Sequence, residues 1–228
     1  MALVLLIRHA LTEATGRRLS GTTPGIHLSA EGKAQAAQLA ERLEAVPLKA
    51  VYSSPLERCR ETAETVASPR ALDVVSVPDL IEVGYGRWTG RPLAQLARTA
   101  LWKRVQQSPS SIRFPDGESL TEVQRRGADA VDAIAARHPR DTVAVVSHAD
   151  VIRLLLAHYA GVHVDLFQRL IVSPVSVSAV LLGDRVPRIL RMNDTGTLDD
   201  LVRRAAAKRG GGKNGKRAQT PRPPRRSL

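Results

Sequence analysis

The sequence predicts an α/β protein, a three-layer α/β/α domain around a mostly parallel central sheet. Three observations predict it. Short apolar or β-branched runs alternate with longer stretches of helical spacing. The first run, residues 3–7, is apolar throughout, as a strand covered on both faces must be. Two Ser-x-x-Glu sequences, at residues 54–57 and 119–122, stand where helices would open.

The elements follow in order. Residues 3–7 are the first strand, ended by Arg8-His9. Residues 30–45 place Ala34, Ala37, Leu39 and Leu43 at helical spacing. Residues 50–52 read as the second strand. Ser54 as N-cap, Pro55 at the first helical position and Glu57 at the third predict a helix that ends near Pro69. Residues 74–77 are a third strand, and residues 94–107 predict one helix. Ser119 opens the next helix, which runs to about His138. Residues 142–146 are β-branched enough for a strand, and a helix follows from about Asp150 to Tyr159. Residues 175–182 and 188–192 supply two last strands.

A chain of 228 residues fits one domain, or one domain and a tail. Aromatics are only 3%, so the core has to come from Ala, Val, Leu and Ile. The net charge of +12 raises the question of a nucleic-acid partner. Its distribution narrows that question. Ten of the 34 basic residues lie from Arg203 onward with no acidic residue among them, so residues 1–202 carry about +2. The expected organisation is a domain over 1–202 and a basic, Gly- and Pro-rich disordered tail over 203–228. Contact with nucleic acid is expected, if at all, only through that tail, and a solvating extension is the plainer reading. A single Cys excludes an internal disulfide, and no apolar run approaches a membrane span. The expectation is a cytoplasmic protein with no membrane partner.

Three strand ends carry unusual residues. The first strand ends in Arg8-His9-Ala10, the second in Ser53-Ser54-Pro55 with Arg58 just beyond, and the strand over 142–146 runs into Ser147-His148-Ala149-Asp150. Ligands of open α/β sheets bind outside the carboxyl ends of strands. If these strands are neighbours, two His and two Arg converge there on free helix N-termini, which makes an anion site with phosphate as the natural occupant. Guanidiniums grip phosphoryl oxygens in pairs. A neutral imidazole is a competent nucleophile near pH 7 without a metal. A carboxylic acid with a raised pKa would complete the set by protonating the leaving oxygen.

Six motifs carry a family resemblance. They are Leu6-Ile7-Arg8-His9-Ala10-x-Thr12, Leu28-Ser29-x-x-Gly32-x-x-Gln35-Ala36, Ser53-Ser54-Pro55-Leu56-x-Arg58-x-x-x-Thr62-Ala63, Leu80-x-Glu82-x-x-x-Gly86-x-Trp88-x-Gly90, Pro115-x-Gly117-Glu118-Ser119 and Val146-Ser147-His148. In this order they resemble the histidine phosphatase superfamily, in its phosphoglycerate mutase-like branch, over about residues 1–192. The resemblance implies a phosphoglycerate mutase-like fold and a small phosphorylated substrate, with no cofactor and no metal. It implies His9 as a nucleophile that becomes phosphohistidine, and Arg8, Arg58 and His148 as holders of the phosphoryl group. Glu82 stands where the family keeps its proton donor.

Two positions depart from the pattern. Ala10 follows the nucleophile where Gly is common, and Thr15 stands where the family often has a phosphate-binding Asn. A hydroxyl there donates one bond with shorter reach. Glu118 precedes a helix N-cap, where negative charge favours the helix dipole, and is read as structural. Cys59 is read as a packed helix residue, and Trp88 either as core or as part of the mouth of the site. His27, His138, His158 and His163 have no metal-ligand spacing.

The activity this implies is a metal-independent phosphomonoesterase. The first alternative is a phosphoglycerate-type mutase. Mutases of the family carry a longer, more basic insertion where this chain has only residues 90–115, with Arg91, Arg98, Lys103, Arg104 and Arg113 as its basic residues. The second is a phosphate-reading or nucleic-acid-tethered regulatory protein.

Overall fold

The computed structural model describes residues 1–196. The expected boundary at 202 and the basic tail beyond it lie outside the described residues. One six-stranded sheet organises the chain, in the order β3-β2-β4-β1-β5-β6. The strands are β1 (Ala2–Arg8), β2 (Leu48–Ser53), β3 (Val74–Ser76), β4 (Thr142–Ser147), β5 (Val177–Leu182) and β6 (Arg188–Asp194). The first four are mutually parallel, and β5 and β6 add an antiparallel edge beside β1.

The helices are α1 (Ala30–Arg42), α2 (Glu57–Ala67), α3 (Leu93–Leu96), α4 (Ala100–Gln107), α5 (Leu120–Arg137) and α6 (Ala149–Ala160). Strand β1 shows why its run is apolar throughout. Val4 and Leu6 face a core shared with Val131 and Ile134 of α5 and Ile152 of α6. Leu3, Leu5 and Ile7 face the other core, with Leu39 of α1 and Ala63 and Val66 of α2. Side chains alternate across a strand, so a sheet covered on both faces needs both sets apolar. The three layers expected from the sequence are present.

Two local expectations are corrected. Ser54 does not cap α2. The helix begins at Glu57 with Leu56 at its N-cap and no side-chain cap bond. The Ser54 hydroxyl accepts the Leu56 N–H ahead of the helix at 3.4 Å and stands 2.8 Å from Nε2 of His148. Residues 94–107 are not one helix but α3 and α4. Thr99 divides them: its hydroxyl donates to the Leu96 carbonyl and accepts the Trp102 N–H, closing one helix and opening the next. The second capping box is as expected, with Ser119 and Glu122 satisfying each other's backbone N–H. Gly32 is required where α1 crosses the first loop, since a Cβ there would run into the Leu11 carbonyl. Among the described residues no helix is long and apolar enough to cross a membrane.

Candidate active site

Strand β4 pairs with β1 on one side and β2 on the other, and the register puts Arg8 beside Ser147 and Ser53 beside Val146. The three strand ends singled out in the sequence therefore meet at one edge. A cavity of about 410 Å³ opens there, and Arg8, His9, Thr15, Arg58 and Glu82 line it.

His9 is 7% exposed. Its Nδ1 lies 2.7 Å from the Ala10 carbonyl, which can only accept, so Nδ1 carries the proton and Nε2 the lone pair. Burial, with Arg58 and Arg8 adding to it, drives the pKa of His9 down to about 3. The imidazole is thus neutral near pH 7. His148 is fully buried behind it, with the two rings edge-on at 5.3 Å between centroids. Burial first, then Arg58 and His9, hold His148 well below the ordinary histidine value.

Both arginines are tethered. Arg8 donates from Nη1 to the Val172 carbonyl at 2.7 Å. Arg58, in the first turn of α2, is 2% exposed and donates from Nη2 to the Gly21 carbonyl at 2.8 Å. The long loop after His9 thus closes over Arg58. Thr15 lines the cavity, but its hydroxyl accepts the Thr12 N–H at 3.1 Å and faces the Thr12 hydroxyl at 3.0 Å.

Glu82 sits on a segment without regular structure, and its Oε1 accepts the Val83 N–H at 3.0 Å. Burial, reinforced by the negative charge of Asp150, raises its pKa to about 7. A half-protonated carboxyl beside a neutral imidazole suits proton transfer to a leaving oxygen.

Glu118 does more than meet a helix dipole. It accepts the Gly84 N–H at 2.7 Å and pairs with Arg126. Arg126 also donates to the carbonyls of Asp79, Ile81 and Glu82. Trp88 is core, packed between Trp102 and Phe114, and it is Trp102 that reaches the cavity. Cys59 is fully buried with Sγ 3.4 Å from Nε2 of His148, and burial pushes its thiol up. His148 and the four other histidines do not line the cavity; His27 pairs with Glu61 and His138 with the Tyr52 hydroxyl.

Sequence reasoning missed Arg126, Tyr85 and Arg153, and it named Asp150 only as part of a strand end. The last three line or brace the cavity: the Tyr85 hydroxyl donates to Asp150 at 2.6 Å, and Arg153 pairs with Asp150 at 2.9 Å. A signal existed for two of them. Asp150 and Arg153 stand three apart in the first turns of the helix that follows His148, where their side chains share a face.

Residues 4–195 match the profile of the histidine phosphatase superfamily, branch 1. The chain belongs to this superfamily. Phosphoserine phosphatase 1 of Hydrogenobacter thermophilus is 32% identical over 199 residues, covering 86% of this chain and 93% of that protein. A bifunctional protein of Mycobacterium tuberculosis is 37% identical over 202 residues. That match covers 86% of this chain, which spans only 54% of the mycobacterial protein. Among solved structures, YhfR of Bacillus stearothermophilus superposes with a TM-score of 0.81 at 28% identity, covering 86% of this chain and 98% of that one. The family and fold that the six motifs implied are therefore borne out.

Proposed function

We propose that the protein is a phosphomonoester hydrolase acting on a small phosphorylated metabolite through a phosphohistidine at His9. The observation that carries this reading is that His9, Arg8, Arg58 and Glu82 line one cavity. The phosphoryl oxygens lie against the two guanidiniums, which offset the charge that builds in the transition state. Nε2 of His9 attacks phosphorus, a P–N bond forms, and the P–O bond to the leaving alcohol breaks. Glu82 gives its proton to that oxygen. His148 does not line the cavity; packed edge-on against His9 it backs the nucleophile, and the family resemblance makes it a further holder of the phosphoryl group, while Thr15 contributes its hydroxyl at the rim. In the second step the Glu82 carboxylate takes a proton from water, the water oxygen bonds to phosphorus as the P–N bond breaks, and inorganic phosphate leaves with His9 neutral again. Arginines and imidazoles supply the charge stabilisation, so the route runs without a metal. The name of the Hydrogenobacter relative supports hydrolysis of this kind. The activity resides in residues 1–202, with 203–228 outside it.

The test is a quenched reaction with a radiolabelled phosphomonoester. An acid-labile, alkali-stable phosphoenzyme is expected in the wild type and not in His9→Ala, which also loses turnover of p-nitrophenyl phosphate. Retained turnover in that variant overturns the assignment. A mutase assay in parallel, with a second hydroxyl as acceptor, is expected to give inorganic phosphate rather than transfer.

A further inference from the structure

Arg8 and Arg153 line the same cavity and are held in the same way. Each gives Nη1 to the protein, Arg8 to the Val172 carbonyl at 2.7 Å and Arg153 to Oδ1 of Asp150 at 2.9 Å. In each, Nε is buried and has no hydrogen-bond partner among the described residues. The side edge of each guanidinium, Nε together with Nη2, thus makes no hydrogen bond to them. That edge is the fork that takes two oxygens of one anion. A buried donor with nothing to donate to calls for an explanation. For Arg8 the phosphoryl group provides it. For Arg153 the chemistry above provides none.

The surroundings fix Arg153 for such a task. Both oxygens of Asp150 are engaged, Oδ1 by Arg153 and Oδ2 by the Tyr85 hydroxyl at 2.6 Å. Asp150 therefore braces the guanidinium at its far end and leaves the fork free. Arg153 also helps to lower the proton affinity of Arg8, after burial, so the two cations act on a common space. Gln106 and Gln168 line the same cavity and offer further donors.

We propose that the unpartnered edge of Arg153 is a second anion subsite, so that the preferred substrate is a phosphomonoester whose leaving group bears a further anionic group. This rests on the hydrolase reading above and names the substrate class for it. A carboxylate and a second phosphate share the required chemistry.

Matched pairs of esters test it. O-phosphoserine and O-phosphoethanolamine differ only in a carboxylate; fructose 1,6-bisphosphate and fructose 6-phosphate differ only in a phosphate. In at least one pair the wild type is expected to favour the anionic member by tenfold or more in kcat/KM, the size of a charge-assisted bond. The pair that shows the preference identifies the anion. Arg153→Gln is expected to reduce that preference at least tenfold. Arg153→Lys keeps the charge but loses the fork, and is expected to fall between; it carries the measurement if the first variant does not fold. No wild-type preference in either pair, or a preference intact in the variants, overturns the subsite. Calorimetric binding of the same esters to His9→Ala reads the subsite without turnover. Selective binding there with no hydrolysis by the wild type would sink the hydrolase reading and leave the subsite standing.

Discussion

The guanidinium of Arg126 and the carboxylate of Glu118 are joined twice, Nε to Oε1 at 2.8 Å and Nη2 to Oε2 at 3.0 Å. Because Arg126 also holds three carbonyls of residues 79–82 and Glu118 the Gly84 N–H, this one pair fixes the segment that carries Glu82. Gly117 lets the turn before α5 approach that segment, where a Cβ would strike the Gly84 carbonyl.

Arg126→Ala is expected to cost about 2–3 kcal/mol of stability, since it strands a partly buried carboxylate and three carbonyls. It is also expected to lower kcat more than it raises KM, because it loosens the acid and not the phosphate grip. Urea unfolding and steady-state kinetics check both. A loss of stability with kcat intact would confine the pair to folding.

Glu82→Gln removes the proton donor but keeps the shape. Turnover of alkyl phosphates is expected to fall by roughly 10²–10⁴. Esters whose alcohol leaves unaided, such as p-nitrophenyl phosphate, are expected to lose far less. Equal losses on both kinds of ester would take Glu82 out of the acid role.

The first step needs Glu82 protonated, and its pKa lies at about 7. The alkaline limb of kcat/KM is therefore expected near pH 7, with activity falling above it. Asp150 is the second cause of that elevation, after burial, while Arg8 and Arg58 oppose it. Asp150→Asn is accordingly expected to move the limb to lower pH. A limb that stays put or rises removes Asp150 from the control of Glu82.

Folding holds His9 and His148 below the ordinary histidine value of 6.5. The unfolded chain then binds protons on these groups before the folded chain does. Their contribution to stability is complete above about pH 6.5 and is lost as pH falls toward the folded value of His9, about 3. The urea midpoint is expected to drop between pH 7 and 4, and to drop less in His9→Asn. The same slope in that variant would exclude His9 as a cause.

Removing residues 203–228 is expected to leave turnover of p-nitrophenyl phosphate unchanged. A large fall would bring the basic segment into the active site.

The sequence carried the sheet well, because burial on both faces writes a continuous apolar run and helices write their period. It also marked, through strand ends and family motifs, Arg8, His9, Arg58 and Glu82, which the fold gathers at one cavity, and His148, which lies buried behind His9. What escaped it depends on contacts between segments distant in the chain. Ser54 had the chemistry of a cap, but the approach of His148, 94 positions later, claims its hydroxyl. Thr99 looked like any helical residue until its hydroxyl was seen to serve both flanking turns. Arg126 lies on a helix face where an exposed cation is the ordinary expectation, and only the fold brings residues 79–84 against it.

The tethers on Arg8 and Arg58 have a consequence for the end of the reaction. Both cations are gathered around a neutral imidazole before any anion arrives, each anchored to a backbone carbonyl. A phosphoryl group therefore meets donors that need not move to bind it. Inorganic phosphate presents the same oxygens as the ester, so it is expected to inhibit competitively, which initial-rate kinetics with added phosphate check.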